Sequence, residues 1–211
     1  MNKIHLLDNG LINKIAAGEV VERPASVVKE LMENSIDAGA TSITVEIAEG
    51  GTSVIKITDN GKGIPKDEIR TAFMRHATSK IDSFEDLENV LTLGFRGEAL
   101  SSIASVAQVE MLTRTESDSM GTRIVINGGV VDREEECAAN VGTVFYVKNI
   151  FFNTPARRKF LKKPATEGSY ISEIVNRIAL GHPNIAIKYI NNGNIVLQTN
   201  GDGNVKNSLF Y

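Results

Sequence analysis

The sequence predicts an α+β fold, a two-layer sandwich in which helices cover one face of a mixed but mainly antiparallel sheet. Two observations carry this expectation. Helical periodicity dominates residues 11–38, and the strands that follow come as hairpins with glycine turns instead of a run of strand–helix–strand units.

Taken in order, Leu11, Ile12, Ile15 and Ala16 recur at helical spacing, with Gly18 the expected stop. Pro24 suits the first position of a second helix, since its fixed φ fits there and its missing N–H costs nothing. That helix carries Val27, Val28, Leu31, Met32 and Ile36 on its apolar side and ends around Ala38-Gly39. Ile43, Val45 and Ile47 alternate, Glu49-Gly50-Gly51 turns the chain, and Ile55 and Ile57 alternate again up to Asp59. Pro65 opens a helix through Ile69, Ala72 and Phe73, and a long polar connection follows from Thr78 to Gly97. A short helix is expected over 98–107, strands over 108–115, 122–131 and 143–151, a helix over 167–180, and a final hairpin over 185–190 and 195–198 about Asn192-Gly193.

With 211 residues, 42% of them hydrophobic and 23% charged, the chain has the apolar content for a real core. Residues 1–200 read as one domain. The ending at 201–211, closing on Ser208-Leu209-Phe210-Tyr211, reads as the start of a second. The net charge of −3 excludes a basic field over the whole domain, so contact with nucleic acid needs a local patch. A single cysteine, Cys137, and dispersed histidines at 5, 76 and 182 leave no thiolate or imidazole metal cluster. No signal-peptide core or membrane span is readable, so a cytoplasmic setting is expected.

Three features bear chemistry. At about 100° per residue, Glu30, Asn34 and Asp37 fall within roughly 60° of one another, beside the apolar arc of the second helix. Such a stripe either lines a cleft, where Glu30 deprotonates a water and Asn34 offers a hard oxygen to magnesium, or is an ordinary solvated helix face. The stripe alone does not decide. Asp59 shares the covered face of Ile55 and Ile57 and needs a donor. It reads either as an acceptor for an adenine amine, with Gly61 and Gly63 allowing close approach, or as part of an Asp-Asn-Gly turn. Finally, Gly94-Phe95-Arg96-Gly97-Glu98-Ala99-Leu100 places two glycines before a helix start, where free amides attract phosphate, and Thr78, Ser79 and Lys80 add donors. Neither a Walker sequence nor a dinucleotide-binding glycine motif is present. The basic run Arg157-Arg158-Lys159 reads either as a contact for DNA phosphates or as a solvated, ion-paired face.

In order and spacing, Glu30-x-x-x-Asn34-x-x-Asp37-Ala38-Gly39, Asp59-x-Gly61-x-Gly63, Gly94 to Leu100 and Gly142-Thr143 resemble the motifs of the GHKL ATPases. Three strings resemble the MutL family of DNA mismatch-repair proteins within that superfamily. They are Ile15-Ala16-Ala17-Gly18-Glu19-Val20-Val21-Glu22-Arg23-Pro24, the Gly94–Leu100 string, and Asn153-x-Pro155-Ala156-Arg157-Arg158-Lys159-Phe160-Leu161.

The resemblance implies a Bergerat-type sandwich with ATP between helices and sheet, under a lid spanning roughly residues 76–100. It implies Glu30 as the water-activating base, Asn34 as the magnesium ligand, Asp59 as the adenine-reading carboxylate and Thr143 as its companion. Thr78, Ser79, Lys80 and the segment Arg96–Leu100 then surround the phosphates, with Gly94, Phe95, Asp37, Gly61 and Gly63 counted in the same nucleotide site. The implied function is a slow ATP switch that dimerises on ATP and relays mismatch recognition. Its implied partners are a MutS-type protein, DNA mainly through the full-length dimer, a downstream nuclease or helicase, and a second N-terminal domain. A lysine at the terminal phosphate would come from a following domain, so weak binding and slow hydrolysis are expected of these residues by themselves. The alternatives are a nucleotide-responsive scaffold that does not hydrolyse, and a GHKL protein of other business such as a topoisomerase subunit, chaperone or kinase.

Overall fold

Pro24 opens the helix that organises the molecule. Helix α2 (Pro24–Asp37) follows α1 (Asn9–Val20) and buries Val27, Val28, Leu31 and Met32 on one side. These positions repeat at three- and four-residue spacing, as a helix lying on a sheet requires. The computed structural model describes residues 9–77 and 97–204.

After α2 come β1 (Ser42–Ala48), a 3₁₀ turn at Glu49–Gly51, β2 (Val54–Asp59) and a single turn, α3 (Ile69–Ala72). Helix α4 (Ala99–Val106) leads into β3 (Gln108–Arg114), β4 (Gly121–Asn127), β5 (Val130–Cys137) and β6 (Gly142–Lys148). Then come α5 (Pro155–Phe160), α6 (Pro164–Gly181), β7 (Ala186–Asn191) and β8 (Asn194–Gln198).

Among the described residues these strands form one eight-stranded sheet in the order β5-β4-β3-β6-β2-β1-β7-β8. Every pairing is antiparallel except β1 with β7. The expected α+β sandwich with a mainly antiparallel mixed sheet is therefore the observed fold.

Register explains where the core sits. Leu197, Tyr189, Val45, Ile57, Phe145, Met111 and Ile124 are successive cross-strand partners, and all are buried. Side chains alternate along a strand, so this apolar row lies on one face, and α2 and α6 pack over part of it. Full burial of each such aliphatic side chain is worth about 1.5–3 kcal/mol.

Four details differ from the sequence expectation. The helix expected to open at Pro65 is only the turn Ile69–Ala72, with residues 66–68 in a turn ahead of it. Helix α1 runs through Gly18 to Val20, and the Arg157 guanidinium lies against Gly18 where a side chain would stand. Glycine here makes room for a close approach instead of ending the helix. The strand expected over 122–131 is two strands, split at Gly128-Gly129. Its second half, β5, is an exposed edge whose acidic residues are tied by Lys66–Glu136 (2.8 Å), Arg70–Glu134 (2.6 Å) and Arg123–Glu135 (2.7 Å), which also discourages pairing with another chain. The basic run forms the short helix α5, with Arg157 half-buried toward α1 and Arg158 and Lys159 exposed.

Candidate functional site

Two residues along from the apolar row, on the same face, the sheet changes character. Asp59 on β2 is the register partner of Thr143 on β6, Thr143 of Thr113 on β3, and Thr113 of Thr122 on β4. All four are buried, so a polar strip crosses four strands where aliphatics would complete the core. Buried polar groups need partners. Thr113 Oγ1 accepts from Ile64 N at 2.9 Å, lies 3.1 Å from Thr143 Oγ1, and lies 3.1 Å from the Gly142 carbonyl.

Asp59 is the charged member. Its Oδ1 accepts from Gly61 N at 2.8 Å, its Oδ2 from Ser35 Oγ at 2.9 Å, and the Thr143 backbone supplies a further hydrogen bond. Burial pushes its carboxyl above the usual range, and the hydrogen bonds from Gly61, Ser35 and Thr143 oppose that only in part. Ser35 Oγ also lies 3.0 Å from the Leu31 carbonyl, so one hydroxyl proton faces two acceptors. A carboxylate has more lone pairs than these donors fill, and a ligand amine can use the remainder.

The loop after Asp59 is shaped by its backbone. Gly63 has φ +72°, and a Cβ there would collide with the Arg114 carbonyl of β3, so only glycine lets the loop pass. The same loop delivers Ile64 N to Thr113 and Lys62 N to the Ala38 carbonyl at 3.0 Å, tying it to the end of α2.

Helix α2 presents the expected stripe: Glu30, Asn34 and Asp37 are all half-buried, at the border between the helix's packed and exposed sides. Glu30 keeps 21% of its side-chain area exposed. Lys29 lies 3.6 Å from Glu30 Oε1 and donates to the buried Glu33 at 2.8 Å. Burial alone would lower the Lys29 pKa, but Glu33 and Glu30 outweigh that and hold it above its ordinary value. The ammonium thus remains a fixed positive charge beside Glu30.

Of the sequence-predicted set, Asp59, Gly61, Gly63 and Thr143 meet at one end of β2 and β6, next to Ser35 of the helix that carries Glu30, Asn34 and Asp37. Gly97, Glu98, Ala99 and Leu100 form the approach to and first residues of α4. Thr78, Ser79, Lys80, Gly94, Phe95 and Arg96 lie outside the described residues. Sequence reasoning missed Ser35 and Thr113. Thr113 had a signal, since it follows Val109 and Met111 at even spacing and therefore faces inward. Ser35, one helical turn beyond Leu31, likewise sits on the buried side.

Two cavities adjoin this region. A cleft of about 520 Å³ opens on the reverse of the sheet, lined by Thr44, Thr58, Leu112 and Val144, which alternate with the inward-facing residues. A recess of about 380 Å³ lies between α3 and α4, lined by Phe73, Met74, Arg75, Ser101 and Ala104. Asp59 and Thr143 also border the first, but the side chains of Thr44, Thr58, Leu112 and Val144 open it on the sheet face away from α2. Among the described residues no group of three or more His, Cys, Asp or Glu side chains is arranged to hold a metal ion, and no helix is long and apolar enough to cross a membrane.

The family described as histidine kinase-, DNA gyrase B-, and HSP90-like ATPase matches residues 22–141. The chain is 58% identical over 211 residues to a DNA mismatch repair protein MutL of Agathobacter rectalis, covering 100% of this chain and 33% of that relative. It is 56% identical over 209 residues to a MutL protein of Caldanaerobacter subterraneus, covering 99% of this chain and 35% of the relative. The chain thus spans about a third of the length of the curated relatives it matches. Among solved structures, the Aquifex aeolicus MutL ATPase domain complexed with ADP superposes with a TM-score of 0.74 at 32% identity, covering 90% of this chain and 68% of that one. The N-terminal domain of a DNA repair protein gives a TM-score of 0.74 at 26% identity, covering 94% of this chain and 60% of that one.

Proposed function

The chain belongs to the histidine kinase-, DNA gyrase B- and HSP90-like ATPase family and within it to the MutL ATPase domains, and from that premise we propose that it binds ATP and hydrolyses it slowly, as a switch in DNA mismatch repair. The observation that carries this reading is the buried polar strip of Asp59, Thr143 and Thr113 at the end of the sheet, closed by Ser35 of α2. Such a strip serves a ligand with a flat polar edge. In an adenine the exocyclic amine donates to Asp59, and the hydroxyl of Thr143 meets the neighbouring ring nitrogens.

The triphosphate then extends along α2 toward the start of α4. Glu30, part-exposed with Lys29 beside it, holds and deprotonates the attacking water. Asn34 offers one hard oxygen on the same stripe. That would suit magnesium, a hard cation that takes one or two protein oxygens. Bound magnesium supplies charge neutralisation at the phosphates. Thr78, Ser79, Lys80 and Gly94 to Arg96 complete the phosphate contacts in this proposal, with the amides of Gly97, Ala99 and Leu100.

For the whole protein we infer ATP-dependent pairing of two such domains, and partnership with a MutS-type mismatch-recognition protein, DNA, and a downstream nuclease or helicase. The exposed Arg158 and Lys159 of α5 offer this chain's own basic face to a phosphate backbone. The deciding experiment is an ATPase assay with magnesium on a longer protein that includes the following region, with and without Glu30→Ala. General-base removal lowers turnover by about 10²–10⁴-fold while nucleotide binding persists. Unchanged hydrolysis would remove Glu30 from the role of base.

A further inference from the structure

We propose that Glu98 is a positioning residue of the nucleotide site, acting through a clamp with Arg75 and His76 that sets the backbone amides at the start of α4. Glu98 Oε1 lies 3.3 Å from Arg75 Nη2 and 3.3 Å from His76 Nδ1. The Glu98 and Arg75 side chains are only 23% and 30% exposed, so the pair is partly shielded from water. Glu98 occupies the N-cap position of α4, yet its carboxylate makes no capping hydrogen bond. Its carbonyl instead accepts from Ser102 N at 2.9 Å and Ser101 Oγ at 3.0 Å, which ties its backbone into the first turn.

A second contact closes beside the ion pair. Gly97 has φ +61°, and a Cβ there would stand 2.6 Å from the Ala77 carbonyl oxygen, so the two backbones touch. His76 itself holds φ +62°, a conformation that a residue with a Cβ keeps only when its surroundings fix it. Residues 75–77 and 97–98 are therefore joined by an ion pair, an imidazole contact and a backbone contact, directly ahead of the helix start.

Charge decides what Glu98 does there. A carboxylate offers no donor to a phosphate oxygen, and left unpaired at the N-terminus of α4 it would compete with an anion for the same amides. Pairing it with Arg75 removes that competition and leaves the amides of Ala99 and Leu100 pointing at the ligand. The assignment rests on the nucleotide reading of this site and adds Arg75 and His76 to it as residues that never touch the nucleotide.

The test is a double-variant cycle on the 211-residue protein with Glu98→Ala, Arg75→Ala, the pair together, and the charge swap Glu98→Arg with Arg75→Glu. Two quantities are read: affinity for a fluorescently labelled ADP, and amide hydrogen exchange at residues 98–102 without nucleotide. Each single variant is expected to weaken binding by about three- to tenfold and to speed exchange at Ser102, whose amide donates to the Glu98 carbonyl. The double variant should be no worse than either single, and the swap should restore part of both quantities. Multiplying effects in the double variant, or exchange unaltered in both singles, would overturn the clamp. If the unmodified protein binds no adenine nucleotide, the positioning role falls with the nucleotide reading, while exchange still reports whether the contact exists.

Discussion

Replacing Asp59 by asparagine separates the fold from the ligand at this site. The Asp59 carboxylate accepts from three donors, Gly61 N at Oδ1, Ser35 Oγ at Oδ2 and the Thr143 backbone. Gly61 N is a fixed donor, so the carboxamide must turn its oxygen there and place its NH₂ where Oδ2 was. Ser35 can absorb the change, because its hydroxyl proton has a second acceptor in the Leu31 carbonyl and its oxygen can then accept from the new amide. Removing a buried charge offsets the weaker hydrogen bonds, and stability at pH 7 should stay within about 1 kcal/mol of the parent or rise. An adenine amine, in contrast, meets a donor in place of an acceptor. The lost charge-assisted hydrogen bond costs about 1.5–3 kcal/mol and the unpaired buried donor about 1–3 kcal/mol, together about 3–5 kcal/mol or 10²–10⁴-fold in Kd. Guanine carries a carbonyl at that ring position, so the preference for adenine over guanine nucleotides should shrink as well. Thermal unfolding checks the first half, and titration with labelled ATP and GTP checks the second. A variant that binds ATP within about threefold of the parent would refute the assignment of Asp59 to the base.

Further outcomes follow from the same geometry. Because burial raises the Asp59 pKa, the folded protein holds that proton more tightly than the unfolded chain. This contribution to stability is full below the ordinary carboxylate pKa and is lost as pH rises through the raised value; comparing Tm against pH for the parent and Asp59→Asn should isolate it. Gly39→Ala and Gly63→Ala both place a Cβ at positive φ, but Gly39 has no atom within 4 Å and Gly63 faces the Arg114 backbone. Denaturant titrations should give about 1 kcal/mol for Gly39→Ala and about 3 kcal/mol or more for Gly63→Ala; equal losses would contradict the close approach. Thr113→Val strips Ile64 N of its acceptor and should cost about 1–3 kcal/mol in the same measurement.

Much of the fold was legible because its signals are local. Alternation at Ile43, Val45 and Ile47, the Glu49-Gly50-Gly51 turn, and Pro24 ahead of a three- and four-spaced apolar run each specify an element within a few residues. The misses are places where the local cue is ambiguous or absent. Gly18 looks like a helix stop, yet α1 runs on to Val20 with Arg157, far along the chain, in the space beside it. Strand β5 has no apolar alternation because it is an exposed edge, held by side chains from β4 and from the segment around α3, so periodicity had nothing to detect.

The site divides along the same line. That Asp59 and Thr113 face inward follows from counting by twos along their own strands, and the stripe of Glu30, Asn34 and Asp37 follows from helical spacing. Neither count says that β6 lies between β2 and β3, and only that sheet order sets Asp59, Thr143 and Thr113 side by side. Nor does any local rule bring Ser35 to Asp59 across 24 residues of sequence. Each residue alone has an ordinary explanation as a turn, a strand end or a helix surface. A buried carboxylate beside two threonines, under a helix with a part-exposed glutamate, has a poor one, since an aliphatic row would make a better core. A polar strip in place of an aliphatic row costs the free protein core packing, and under the proposed nucleotide reading a ligand would use its spare lone pairs, so its register, more than any single residue in it, carries that proposal.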